Sequence, residues 1–265
     1  MMCEIIAIAN QKGGVGKTTT AVNLAASLAL SEKNILLIDF DPQSNATTSL
    51  GFYHSNIEFD IYHVLMGSKK IYEVIKETQM PFLHLIPSNI GLVGLEKEFY
   101  SKKNGGREIL LKKAIHEISD LYDYIIIDSP PALGPLTINA LTAANSVIIP
   151  IQCEFFALEG LAQLLNTIKL LQESMNPNLK IRGFLPTMYS TQNNLSKQVL
   201  ADLGQHFNDQ LFQSKDDKQP YVIIPRSVKL AESPSFGKPI LLYDIKSNGA
   251  IAYQNLAKSI LESSL

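Results

Sequence analysis

Lys12-Gly-Gly-Val-Gly-Lys-Thr18 sets three glycines, two lysines and a hydroxyl side by side, the residue types of a phosphate cradle. Gly13, Gly14 and Gly16 allow a sharp backbone turn that brings successive N–H groups onto phosphate oxygens at the positive end of a following helix. Lys17 supplies a point charge to the β and γ phosphates, and the Thr18 hydroxyl is placed for Mg²⁺. The general pattern G-x-x-x-x-G-K-[ST] has a glycine where this chain has Gln11, and Lys12 adds a second cation. Two further segments end in carboxylates. Ile35-Leu-Leu-Ile-Asp-Phe-Asp41 finishes with Asp39 and Asp41, two apart and so on one side of an extended chain. Such carboxylates suit ligation of Mg²⁺ through water and positioning of an attacking water. Tyr124-Ile-Ile-Ile-Asp128 ends in a carboxylate that burial would make costly without a cation beside it. A hydrated Mg²⁺ next to Thr18 is the natural partner of Asp128.

These groups need a scaffold that brings strand ends together. Apolar runs at Ile5–Ala9, Ile35–Phe40, Leu83–Ile86, Tyr124–Asp128, Ser146–Ile151, Ile181–Met188 and Val222–Ile224 read as strands. Most are continuous rather than alternating, as in parallel strands covered on both faces. Helical spacing marks Thr19–Leu30, Gly106–Leu121, Leu136–Ala143, Glu159–Ser174, Leu195–Phe207 and Ala250–Glu262. The alternation predicts an α/β fold, a doubly wound, mostly parallel sheet flanked by helices with ligands at the carboxyl ends of the strands. Breaks at 42–51, 129–135, 176–178 and 213–220 read as loops, so 1–265 is expected to form a single domain. Ser55–Tyr100 is the least legible stretch, equally suited to a partner surface or a cover for the sheet edge.

With 265 residues and a net charge of −2, the chain can bury a large core and carries no global positive field. Any nucleic-acid site must be a local patch. Cys3 and Cys153 flank or lie in apolar runs and read as buried free thiols of a reducing compartment. No signal peptide is evident, and no run reaches the ~20 apolar residues of a membrane span. A soluble, cytoplasmic protein is expected. His54, His63, His84, His116 and His206 show no metal-ligand spacing.

The motifs Lys12–Thr18, Asp39–Asn45, Asp128–Pro131, Gln152–Leu161 and Pro225–Pro239 together resemble the ParA/Soj partition ATPases, the deviant Walker A group that also contains MinD. The resemblance runs from about Glu4 to Leu261. It implies a P-loop NTPase-like fold, ATP and Mg²⁺ as cofactors, hydrolysis of ATP to ADP and phosphate, and a homodimer that sandwiches two nucleotides. On that pattern Lys12 reaches across to the partner's phosphates, while Gly13, Gly14, Val15, Gly16, Lys17, Thr18 and Thr19 hold the chain's own. Asp41 positions the hydrolytic water, and Thr18, Asp39 and Asp128 form the Mg²⁺ set. Glu154 matches a ribose contact across the dimer, Pro225 falls in the stretch lining the adenine, and Met188 is a further nucleotide-binding candidate.

The family also implies sequence-independent DNA binding in the ATP state, a ParB-type partner that stimulates hydrolysis, and a nucleoid-associated location. DNA candidates are Lys229, Arg226, Lys197, Lys238 and Lys246. A second basic position of Soj-like proteins falls here on Gln192, which leaves Lys197 or Lys246 to supply its charge. Rival readings differ in class. A MinD-like membrane-cycling ATPase would need a basic amphipathic C-terminal helix, but Ala250–Leu265 holds Lys258 as its single lysine, with Glu262. A nitrogenase-reductase-like carrier needs cluster cysteines that Cys3 and Cys153 do not match. An ATP-dependent biosynthetic enzyme of the same superfamily, similar to dethiobiotin synthetase, would show a small-molecule pocket. With the first strand starting at residue 5, no N-terminal helix-turn-helix is expected.

Overall fold

The computed structural model describes residues 3–101, 106–154, 160–216 and 219–263. Among the described residues the strands are β1 (Glu4–Ile8), β2 (Ile35–Asp39), β3 (Lys76–Glu77), β4 (Leu83–Ile86), β5 (Tyr124–Asp128), β6 (Ser146–Gln152), β7 (Lys180–Thr187), β8 (Gln213–Asp216) and β9 (Gln219–Tyr221). The helices are α1 (Lys17–Leu30), α2 (Asn45–Ser49), α3 (Ile61–Leu65), α4 (Gly91–Ser101), α5 (Leu110–His116), α6 (Pro135–Ala143), α7 (Leu161–Ser174), α8 (Asn194–Phe207), α9 (Val228–Glu232), α10 (Ile240–Asp244) and α11 (Asn248–Glu262). β1 to β7 form one sheet in the order β3-β4-β2-β5-β1-β6-β7, parallel throughout except for the short edge strand β3. β8 and β9 pair as a separate antiparallel hairpin.

Side-chain alternation along each strand assigns two faces. Ile6, Ile8, Leu37, Ile126 and Ile148 pack under α1 and α11, whose Ala21, Ala25, Ala257 and Leu256 lie in the same cluster. The small alanines of α1 let it press against both the sheet and α11, which is why polar Thr20, Asn23 and Ser27 are also buried. Each has a partner: Thr20 Oγ1 lies 3.2 Å from Tyr253 Oη, Asn23 Oδ1 accepts from the Ile240 N–H, and Ser27 Oγ donates to the Asn23 carbonyl. The opposite face carries two clusters, one joining β2, β4 and β5 to α3, α5 and α6, the other joining β1, β6 and β7 to α7 and α8. Helices thus cover both faces of a mostly parallel sheet, as its continuous apolar strands require.

Several sequence expectations change. The break at 42–51 contains α2, because the Asp39 carboxylate caps that helix from outside the segment. The loop expected at 213–220 contributes the β8–β9 hairpin, with 217–218 outside the described residues. Val222–Ile224 is not a strand; it runs beside the end of β7, held by Ile224 N–H to the Pro186 carbonyl and Tyr189 N–H to the Ile224 carbonyl. The long helix expected over Gly106–Leu121 is cut to α5 and a 3-10 turn at Ser119–Leu121, since no side chain caps its start. Ser55–Tyr100 holds α3, the edge strand β3, its neighbour β4, and nearly all of α4. Among the described residues no helix is long and apolar enough to cross a membrane.

Candidate phosphate and cation site

β1 lies between β5 and β6, and its carboxyl end leads into the glycine loop. Gly16 precedes α1 at φ +88°, in the left-handed region, and Gly14 sits at φ +73°. No β-branched residue holds such a turn without strain, and bare backbone here leaves room for an anion at the helix start. The loop is anchored from two neighbouring strands. Thr187 at the end of β7 donates to the Val15 carbonyl over 2.8 Å, and Asn10 bridges the Pro150 carbonyl of β6 and the Lys12 N–H. Lys17 is only 6% exposed and points its Nζ at the Lys12 carbonyl, 3.0 Å away. Burial lowers the pKa of its ammonium, and the nearby Asp128 and Asp41 oppose that shift.

Parallel pairing of β2 with β5 puts Asp39 directly beside Asp128, with Asp128 also in register with Ile8 of β1. Both carboxylates face the α1 side and are fully buried. Asp39 is satisfied: its Oδ2 accepts from the Thr47 N–H at 2.8 Å and the Thr47 hydroxyl at 2.7 Å, and its Oδ1 from the Asp41 N–H at 3.2 Å. Neither carboxylate oxygen of Asp128 has a hydrogen-bond partner. The Thr18 hydroxyl lies near enough to favour the anion without making that bond. Burial first, then the Asp39 charge, pushes the Asp128 pKa well up; burial also raises that of Asp39. Two buried carboxylates with one unpartnered describe a site short of positive charge.

Asp41 leaves the strand at a turn, where its Oδ1 accepts from the Gln43 N–H and its carbonyl from the Ser88 hydroxyl. The Ser88 N–H donates in turn to the Thr47 hydroxyl. A hydrogen-bonded chain therefore joins Asp39, Thr47, Ser88 and Asp41, and α4 brings a further carboxylate, Glu96, into the field of Asp41. Thr47, Ser88, Thr187 and Asn10 escaped sequence reasoning because each acts through partners far along the chain. Among the described residues no three histidine, cysteine or acidic side chains converge on a metal position. A cation shared by Thr18, Asp128 and phosphate oxygens does not need them.

Next to the loop, a cavity of about 170 Å³ is lined by Gly16, Thr19, Met188, Pro225, Arg226 and Tyr253. Met188 and Pro225, both nucleotide candidates from the sequence, thus line one cavity, and Met188 adopts φ +53°. Glu154 is bound to Arg226 at 2.7 Å on the rim; residues 155–159 of its motif lie outside the described residues. Lys12 is half-buried, its carbonyl taken by Lys17. Of the five DNA candidates, Arg226 pairs with Glu154 and Lys229 with Asp244, whereas Lys197, Lys238 and Lys246 are exposed without an ion-pair partner among the described residues. Cys3 and Cys153 are free thiols, both pushed up to about 12, first by burial.

Residues 3–181 match a family model described as an AAA domain. The chain is 48% identical to the chromosome partitioning protein ParA of Myxococcus xanthus over 98% of its own length and 88% of that protein's. It is 49% identical to the sporulation initiation inhibitor protein Soj of Bacillus subtilis, covering 98% of each chain. A Mycobacterium smegmatis structure named cobyrinic acid a,c-diamide synthase, with bound ADP and magnesium, is 37% identical at a TM-score of 0.83, covering 98% of this chain and 95% of that one. With a glycine loop, a second lysine before it and strand-end aspartates in its own sequence, and identities of 48% and 49% to these partitioning proteins over 98% of its length, the chain belongs to the ParA/Soj family of chromosome-partitioning ATPases.

Proposed function

We propose that this ATPase dimerises around ATP, binds DNA without regard to sequence in that state, and moves chromosomal or plasmid DNA with a ParB-type partner. The observation that carries the nucleotide part is the unpartnered, buried Asp128 facing Thr18 at the mouth of the glycine loop. Mg²⁺, when bound, supplies Lewis-acid polarisation of the γ-phosphate. The chain's residues do the rest. The Gly13–Thr19 backbone and Lys17 hold the phosphates, with Lys17 leaving the Lys12 carbonyl to do so. Asp41, held by Gln43 and Ser88, orients the attacking water. Lys12 reaches the partner's phosphates, so a γ-phosphate favours the dimer. Met188 and Pro225 cover the base, and Glu154 turns to the partner's ribose.

DNA contact falls first to Lys197, Lys238 and Lys246, with Arg226 and Lys229 joining when their carboxylate partners are displaced. Doubling a few phosphate contacts on dimerisation changes affinity by orders of magnitude, because each neutralised phosphate adds to the salt exponent. The name of the Mycobacterium smegmatis structure suggests an amide-forming reading instead. The relatives named for partitioning are the more similar in sequence. The test is retention of the Asp41→Ala protein on a duplex of arbitrary sequence, with ATP-Mg²⁺ or ADP-Mg²⁺ at two salt concentrations. Salt-sensitive retention with ATP alone is expected, and none in either state refutes the reading.

A further inference from the structure

Between the end of β2 and the start of α2 the chain turns, and buried side chains hold that turn at both ends. Thr47 stands at the centre of the hold. Its hydroxyl donates to Asp39 Oδ2 at 2.7 Å and accepts the Ser88 N–H at 3.1 Å, while the Ser88 hydroxyl donates to the Asp41 carbonyl at 2.7 Å. Thr47 is 1% exposed and Ser88 not at all, so water does not compete for these bonds. Ser88 is fixed in turn from outside the turn. The preceding Pro87 carbonyl accepts the Ile61 N–H at 3.0 Å, and the following Asn89 donates to Asp60, the residue that caps α3. The turn itself is strained, because Ser44, fully buried and not glycine, stands at φ +56°. A side chain keeps such a backbone only where its surroundings over-determine it, and such positions gather at functional sites.

We infer that Thr47 and Ser88 are positioning residues for hydrolysis, a single hydrogen-bonded unit that fixes Asp41 relative to Asp39. The inference rests on the reading above of Asp41 as the residue that orients the attacking water. Asp39 ends β2 and is held in register with Asp128 of β5, so it moves only with the sheet. Asp41 has already left the strand. The Gln43 N–H steers its carboxylate from within the same turn, which orients the group but does not place the turn. A bond of 3.2 Å from the Asp41 N–H to Asp39 Oδ1 ties it back to the strand, and the Thr47–Ser88 bridge supplies the shorter contacts. Misplacing a reacting group by an ångström costs up to about a hundredfold in rate. The phosphates are held elsewhere, by the glycine loop between β1 and α1. Loss of the bridge therefore falls on turnover and spares nucleotide affinity.

The experiment follows single-turnover phosphate release from ATP-Mg²⁺ by the full-length protein, beside nucleotide affinity and amide hydrogen exchange at 41–45 in the nucleotide-free chain. Thr47→Val keeps the shape and removes the hydroxyl. Ser88→Ala removes one donor while the Asp41 carbonyl retains the Ser44 N–H at 2.9 Å, so it carries the test where the valine variant fails to fold. Each is expected to slow hydrolysis about ten- to a hundredfold, with nucleotide affinity within about threefold of the native value. Each should also speed exchange at 41–45. The double variant should be about as slow as the slower single one, as for residues that act as a unit. Thr47→Ser should restore most of the rate. Ser49→Ala, which removes another buried hydroxyl of α2, one bonded to the Asn45 carbonyl, should hydrolyse ATP normally. Native hydrolysis and exchange in both bridge variants, with Asp41→Ala inactive, overturn the inference and leave the role of Asp41 standing. Rates that fall in step with nucleotide affinity, in Ser49→Ala as well, overturn it by making these hydroxyls structural. Normal turnover by Asp41→Ala overturns both readings.

Discussion

Replacing Asp128 with asparagine should make the nucleotide-free protein more stable and the nucleotide-loaded one less so. Asparagine has the same shape and no charge, and its amide can donate to the neighbouring Asp39, which lies in register across the β2–β5 pair. In the native chain two buried oxygens of Asp128 go without partners, and a buried unsatisfied acceptor costs about 1–3 kcal/mol. One opposing effect must be weighed. Asp128 helps keep Lys17 charged, but Lys17 retains the Lys12 carbonyl and the field of Asp41, and burial outranks Asp128 in setting its pKa. The net gain for the apo-protein is then about 1–3 kcal/mol, or about 2–12 °C for a chain of this size. Saturating nucleotide at a hundred times its Kd adds about 2.7 kcal/mol to the native chain, about 5–10 °C. Asp128→Asn should forfeit most of that. Thermal melts of both proteins, with and without ATP-Mg²⁺, should therefore cross. An apo Asp128→Asn protein that melts below the native chain would refute the reasoning, because Asp128 would then be a structural anion already satisfied.

The same carboxylates set a pH dependence: Asp39 is pushed up to about 7, chiefly by burial, so the folded state holds a proton that the unfolded chain releases near pH 4. Apo stability should be fully present in acid and fall as pH rises toward 7, by up to about 1.4 kcal/mol per unit, and a flat profile in denaturant titrations at pH 5, 6 and 7 would mean that the Thr47 and Asp41 hydrogen bonds outweigh burial at Asp39. Gly237→Ala should destabilise the fold by at least about 1–2 kcal/mol, since Gly237 sits at φ +62° and a Cβ there would meet the Gly51 Cα at 2.6 Å; an unchanged urea midpoint counts against that crossing. Lys12→Ala should still bind nucleotide as a monomer yet fail to dimerise, as sedimentation with an ATP analogue would reveal. Thr187→Val removes the hydroxyl that holds the Val15 carbonyl and should weaken ATP binding severalfold with little change in fold, a result that nucleotide titration can deny.

The glycine loop and the strand-end aspartates were legible because their meaning is local. A turn needing left-handed backbone selects Gly14 and Gly16, and an apolar run ending in a carboxylate marks a strand end whatever surrounds it. The parallel sheet followed from the same local signal, since strands buried on both faces lose their polar alternation. The pairing of β2 with β5, and hence the meeting of Asp39 with Asp128, comes from the sheet order, which the fold class suggests but no short segment dictates.

What stayed hidden depends on partners distant in the chain. Thr47 is one polar residue in a short segment until Asp39 captures its N–H and hydroxyl; only then does 42–51 contain a helix rather than a loop. Ser88 ties that helix back to Asp41 across a separation of 41 residues to Thr47, so the residue proposed to orient water is held by a stretch that read as featureless. Gly51, just past α2, touches Gly237, at the end of the turn that carries Phe236. The carboxylate beside the phosphate site and the Ser233–Phe236 turn are therefore joined by one short path: Asp39 to Thr47, along α2 to Gly51, and across to Gly237. Gly51 and Gly237 meet backbone to backbone, so no flexible side chain lies between them at that crossing.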